Sequence, residues 1–467
     1  MLLDDYRREA EEFVSALDLD YYLQGSGQKD DLDVEAIYDR HAGLFTRAAV
    51  EELRADGHPE LALFAAEGLV GQETKAEAAE LARLEATLEV EDMPFRQAAV
   101  AQANATDPAR RAELEAARLE VAGRELDPLL VTMLERSHAV AKELGWESLR
   151  ALVEDLGRID LGRLNQQTEQ FLASTDPRDA APRVEAELGI RWEDARRSDL
   201  PAFFRAPSLD SMFPGDKLLD AYENTRTALG LSAPGVRLDA EDRPKKSPRA
   251  FCSPVHVPDE VYLVIPRLGG REDYEALMHE AGHAEHFAHA NRELPFEDRY
   301  LGDNSVTEGY AFLLQHLVRD AGWLRARLGI EDAAAVEEHA RAERILFLRR
   351  YSAKLGYELE LHGPNPDLTA MPALYAERLS AASGLPWPEG SWISDVDPFF
   401  YAARYLRAWA LEELVRAELV RRFGPEWWGS AEAGVVLSEL WSEGQGRDAD
   451  ELLTGLTGEE LDFTKMI

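Results

Sequence analysis

The sequence is poor in cysteine, in basic charge and in long apolar runs. Cys252 is the only cysteine among 467 residues. That excludes an intramolecular disulfide and removes the usual sign of an oxidising compartment. Lysine and arginine number 51 against 89 aspartates and glutamates, for a net charge of -38. Such a surface repels phosphate backbones and anionic headgroups, so neither nucleic acid nor a membrane is expected as a partner. No run of about 18 apolar residues occurs. The opening MLLDDYRREAEEF lacks the basic and then apolar regions of a secretory signal. These absences predict a soluble, cytoplasmic protein. A fixed repeat period is also missing, which disfavours a solenoid.

What is present is helical texture around an apolar fraction of 45%, enough for a large core or for two lobes. In VEAIYDRHAGLFTRAAVEELRA the apolar positions Val34, Ile37, Tyr38, Leu44, Phe45 and Val50 suit one helical face. TKAEAAELARLEATLEV and DPARRAELEAARLEVAGREL read as further helices, the second capped by Asp107 before Pro108. LDPLLVTMLERSHAVAKELG stops at Gly145. Two stretches break the pattern. Residues 200–216, with three prolines and three phenylalanines, read as an ordered loop. Residues 241–267 read as two short strands, near Arg249–Ser253 and Glu260–Ile265, joined by a Pro-bounded turn.

The densest chemistry lies in LMHEAGHAEHFAHA, residues 277–290, which holds four of the 11 histidines. At about 100° per residue, His283 lies about 40° from His279, His286 about -20° and His289 about -80°. His279 and His283 are therefore one turn apart on one face, where two imidazoles converge on one ion. His286 sits a further turn away and His289 leaves the stripe. His279-Glu280-Ala281-Gly282-His283 is the HExxH pattern, in which two neutral imidazoles bind Zn²⁺ and the intervening Glu280 serves as general base. A catalytic zinc takes a third protein ligand. The helical stretch NSVTEGYAFLLQHLVRD offers Glu308 in its first turn, with Val306, Tyr310, Leu313 and Leu314 inward. Asp303 is a rival ligand, and Glu297 and Asp298 are weaker ones.

The run from Lys246 to Glu308 resembles zinc peptidases of the thimet oligopeptidase and oligopeptidase F family. The resemblance implies that His279, His283 and Glu308 are the zinc ligands, one Zn²⁺ per chain, and that Glu280 is the base. It leaves His286 and Asp303 beside the site, outside the ligand set. DVDPFFYAARYLRAWALEEL resembles the family's late helix, whose tyrosines hydrogen-bond the tetrahedral intermediate, and so implies that role for Tyr401 and Tyr405. Two departures stand out. Asp395, Val396 and Asp397 occupy the place of a family histidine, and Ala408 that of a further tyrosine. Arg404 or Arg407 would then assist instead.

The fold so implied is a mainly α, zincin-like helical protein of two lobes around a deep channel. Residues 1–240 would form a helical lobe and one wall. Residues 241–467 would carry the strand pair, the HExxH helix, the Glu308 helix and the C-terminal helices. Arg249, Ala250 and Phe251 would pair with an extended substrate as an added strand, and Arg404 would also contact it. The expected activity is hydrolysis of short, unfolded peptides, by a monomer or homodimer. A carboxypeptidase of related helical fold and a zinc-binding protein without turnover are the alternatives.

Overall fold

The computed structural model describes residues 2–466. The fold is mainly α, with one two-stranded and one three-stranded sheet among the described residues. Among these residues no helix is long and apolar enough to cross a membrane.

Two compact units are built from interleaved parts of the chain. The first joins the stretch ending at Leu44 to Leu209–Glu337 and Arg404–Met466. The second takes Phe45–Ser208 and Glu338–Ala403. The cut expected after residue 240 therefore falls inside the first unit. Residue 240 lies within the continuous stretch Leu209–Glu337, and the N-terminal helix Leu3–Gly25 joins the same unit by packing on the sheet far along the chain. Its Tyr22 stacks on Tyr262 with ring centroids 3.6 Å apart, and its Asp18 carbonyl accepts from Ser253 Oγ at 2.7 Å.

In the first unit the sheet has the order Val236–Asp239, Glu260–Val264, Phe251–His256. The outer pairings are parallel and antiparallel respectively. The expected strand pair is thus a three-stranded sheet. Val236–Asp239 escaped the sequence reading because it is only four residues long and mostly polar or exposed. The strand placed at Arg249–Ser253 begins at Phe251 and runs to His256. Arg249 lies in a turn, its N–H donating to Ser247 Oγ at 3.2 Å.

The histidine helix, Arg271–His289, follows Gly270 and carries Glu272 and Asp273 in its first turn, where negative charge suits the helix dipole. It buries Tyr274, Leu277, Met278 and Ala281. The ligand helix, Asn304–Gln315, is capped by Asp303, whose side chain accepts from Ser305 N–H at 3.0 Å. Its inward residues Val306, Tyr310, Leu313 and Leu314 are buried as expected.

The second unit has its own core, around Phe203, Tyr357, Tyr375, Leu379 and Trp387. Asp107 caps the helix Pro108–Glu125, accepting from Ala109 N–H at 2.9 Å. The helix Asp127–Glu143 ends just before Gly145 at φ 95°. Two expectations change. The stretch 34–55 is two helices, Val34–Arg40 and Arg47–Ala55, because Thr46 caps a new start by accepting from Ala49 N–H. Residues 200–216 are a chain of short helical turns, Leu200–Arg205, Pro207–Met212 and Gly215–Lys217.

Candidate metal centre

The two helices that carry the candidate ligands touch at a glycine. A Cβ on Gly282 would stand 2.5 Å from Ala311 Cα and 2.6 Å from the Tyr310 carbonyl oxygen. Only a residue without a side chain permits this approach. It sets Glu308 against the face shared by His279 and His283. Gly309 repeats the device on the other side of the ligand helix, where a Cβ would lie 2.8 Å from Leu411 Cδ2. That brings in the helix Tyr401–Phe423.

Glu308 Oε2 lies 3.4 Å from His279 Nε2 and 3.7 Å from His283 Nε2. One ligand atom from each of the three residues lies within 4.8 Å of the other two. Ligands about 2.0–2.1 Å from a zinc ion at tetrahedral angles stand about 3.3–3.4 Å apart, so the spacing fits such an ion. The other ring nitrogens are already committed. His279 Nδ1 bonds Gln315 Oε1 at 2.9 Å, and His283 Nδ1 bonds Thr307 Oγ1 at 2.8 Å. With the proton on Nδ1, each Nε2 presents a lone pair toward Glu308. Two imidazoles and one carboxylate are a donor set that could hold a metal ion, and one that catalytic zinc sites use.

Glu280 does not join the three. Its Oε2 accepts from Cys252 N–H at 2.9 Å, which ties it to the edge strand of the sheet. Burial pushes its carboxyl up to about 7, against the pull of His279 and the Cys252 N–H. A carboxylate poised near neutrality is suited to taking and returning a proton. Burial drives His283 down to about 4, so its imidazole is neutral, the form that binds metal. At His279 burial acts downward as well, but the hydrogen bond and charge of Glu308 outweigh it and raise the pKa. Burial pushes the Cys252 thiol up, so it offers no thiolate.

The remaining expected site residues divide. His286 is buried, with Nε2 on the Gly444 carbonyl at 3.2 Å, and packs edge-on against Tyr310. His289 Nδ1 bonds the Glu285 carbonyl. Asp303 is occupied elsewhere: Oδ1 accepts from Arg404 at 2.6 Å, and Oδ2 accepts from Arg407 at 2.9 Å and from Ala449 N–H at 3.1 Å. Those cations hold its carboxyl well below the usual range against burial. Asp303 therefore anchors the ligand helix and does not rival Glu308. Arg404, expected to contact substrate, is buried in this ion pair instead. Glu297 is bonded to Arg7. Arg249 and Ala250 precede the strand they were expected to form, and Phe251 opens it.

Tyr405 is partly buried in the first unit, its ring 6.1 Å from Phe312. Tyr401 belongs to the second unit. Asp395 and Asp397, in the place of the family histidine, pair there with Arg350 and Lys354. Sequence reasoning missed Gln315 and Thr307, which orient the imidazoles, and Gly282 and Gly309, which set the helix spacing. A glycine inside a helical pattern was the available signal.

No protein-family model matches this chain, and no curated protein sequence matches it either.

Proposed function

We propose that the chain is a zinc-dependent peptidase that cleaves short, unfolded peptides internally, and a distant member of the thimet oligopeptidase and oligopeptidase F family. The observation that carries the reading is the convergence of His279 Nε2, His283 Nε2 and Glu308 Oε2, with Glu280 held beside them. Zinc held by these atoms supplies a Lewis acid that acidifies water and polarises a carbonyl. Gln315 and Thr307 keep both rings turned inward. Glu280, with Oε2 engaged by Cys252, takes the proton of the attacking water at Oε1. It then delivers that proton to the departing amine nitrogen. The strand Phe251–His256 stands at the edge of its sheet, the position from which a strand pairs with an extended peptide. The preference for short chains rests on the family resemblance.

The test is cleavage of quenched peptides, abolished by a chelator and restored by zinc. Internal fragments are the expected products. Release of single C-terminal residues would establish the carboxypeptidase alternative. Zinc bound without any cleavage would leave a metal-binding protein without turnover.

A further inference from the structure

In the second unit the helix Pro108–Glu125 lays Arg111, Glu115 and Arg118 on one face, four and then three residues apart. That face packs on the short turn Arg197–Asp199. Charges across this contact match in pairs until the last. Arg111 Nε donates to Asp199 Oδ1 at 2.6 Å, with both side chains buried. Glu115 accepts from Arg197 Nη1, and Gln102 Nε2 reaches the same oxygen at 3.5 Å. Arg118 comes next, and its Nε–H is buried without a hydrogen-bond partner. Among the described residues no carboxylate forms an ion pair with it. Burial and repulsion by Arg197 outweigh the attraction of Glu115 and hold its pKa below the ordinary value. A guanidinium still keeps its proton in a protein, so the charge stays.

The carboxylates farther along are taken as well. Arg197 Cζ lies 5.4 Å from the centroid of the Trp387 ring, and Arg350 shares that ring at 5.6 Å. Arg350 pairs with Asp395, and Lys354 with Asp397. Burial pushes Glu358, beside Lys354, up to about 8, so it is mostly neutral at pH 7. This chain has carboxylates in excess, with a net charge of -38, yet Arg118 has none. A water would satisfy its Nε–H but not its charge, and an unmatched cation out of water is costly.

We propose that Arg118, with Arg197 beside it, is a binding site for a small oxyanion, the chemistry shared by free phosphate and by the carboxylate end of a peptide or organic acid. A guanidinium presents N–H donors in a fork that fits two oxygens of such a group. Trp387 holds Arg197 by its ring face. The inference goes beyond the peptidase reading and does not rest on it.

The experiment uses the metal-free full chain, so that the histidines hold no zinc to attract an anion. Inorganic phosphate, the dipeptide Ala-Ala and its C-terminal amide are titrated calorimetrically at constant ionic strength, in a buffer free of phosphate and carboxylates. Saturable binding of phosphate or of the free dipeptide is expected. Phosphate alone would identify a free anion, and the dipeptide without its amide would identify a carboxylate end. Arg118→Met keeps the aliphatic stem and should weaken binding at least about 10-fold. Arg118→Lys, which keeps the charge and loses the fork, should weaken it less. The same change at the exposed Arg178 should leave it unaltered. With no anion present, Arg118→Met should unfold at a urea midpoint equal to or above that of wild type, because an unmatched charge is gone. The anion should raise the midpoint of wild type and not that of the variant. Absence of saturable binding, an equal loss in Arg178→Met, or a less stable Arg118→Met without anion would overturn the site, the last by making Arg118 a structural partner of Glu115.

Discussion

Gly282→Ala tests whether the spacing of two helices governs the metal centre. The added Cβ would meet Ala311 Cα at 2.5 Å and the Tyr310 oxygen at 2.6 Å, where ordinary contact begins near 3.4 Å. Both atoms are backbone, so no side-chain rotation relieves the clash, and the helices must separate by roughly 0.9 Å, the difference between 3.4 and 2.5 Å. Overpacking of this kind costs about 1–3 kcal/mol, and alanine returns about 1 kcal/mol of helix propensity. The metal-free variant should therefore lose about 0–2 kcal/mol of stability. Zinc binding should suffer more, because the retreat carries Glu308 away from Nε2 atoms now 3.4 and 3.7 Å distant. A loss of about 10–100-fold in affinity is expected, as for other losses of ligand orientation. Gly123, exposed on the helix Pro108–Glu125, is the control. Its Cβ would meet nothing closer than 3.8 Å, so Gly123→Ala should gain up to about 1 kcal/mol. Competition against a fluorescent chelator measures the affinity, and urea unfolding in chelator measures the stability. Wild-type zinc affinity in Gly282→Ala, or a stabilisation equal to that of Gly123→Ala, would refute the reasoning.

Glu308→Ala should lose most bound zinc, read by metal analysis, with an unfolding midpoint close to that of metal-free wild type. Gln315→Ala and Thr307→Val should each weaken zinc binding by about 10–100-fold through misoriented imidazoles, read by the same competition. Asp303→Asn should destabilise by about 3–5 kcal/mol at pH 7, since Arg404 and Arg407 lose a buried counter-charge. Because the folded carboxyl is depressed, its contribution is complete above the unfolded value of about 3.9 and is lost as pH falls below it. The gap between Asp303→Asn and wild type in urea midpoint should therefore narrow in strong acid. His138 and His362, bonded to each other at 3.0 Å, are pushed down by burial to about 4 and about 3. Their contribution is whole above about 6.5 and declines as pH falls toward 4, so His362→Gln should flatten the urea midpoint of metal-free protein across that window.

The cluster of His279, His283 and Glu308 was legible because its pattern is local. HExxH places two imidazoles one turn apart by helix geometry alone, and Glu308 followed from the resemblance of the surrounding run. What was not legible depends on contacts between distant segments. Gln315 and Thr307 look like ordinary helix residues until the two helices cross at Gly282. Arg404 reads as a free cation on a late helix, and only the packed fold brings it to Asp303, which precedes it by some hundred residues. The strand Val236–Asp239 alternates apolar and polar residues over only four positions, too few to stand out, and is held as a strand by Glu260–Val264 beside it. The division into units failed to follow the chain for the same reason: Leu3–Gly25 is helical by its own sequence, but its partner is a sheet more than two hundred residues away.

The central claim, that this centre hydrolyses peptides, is tested most directly by comparing zinc-loaded wild type with Glu280→Gln on one defined peptide, with zinc content measured on the same samples. Glutamine keeps the size of Glu280 and removes the base. Both proteins should hold one zinc per chain, and the variant should cleave about 10²–10⁴-fold more slowly. Equal rates in the two proteins, or no cleavage by zinc-loaded wild type across a broad peptide pool, would contradict the account.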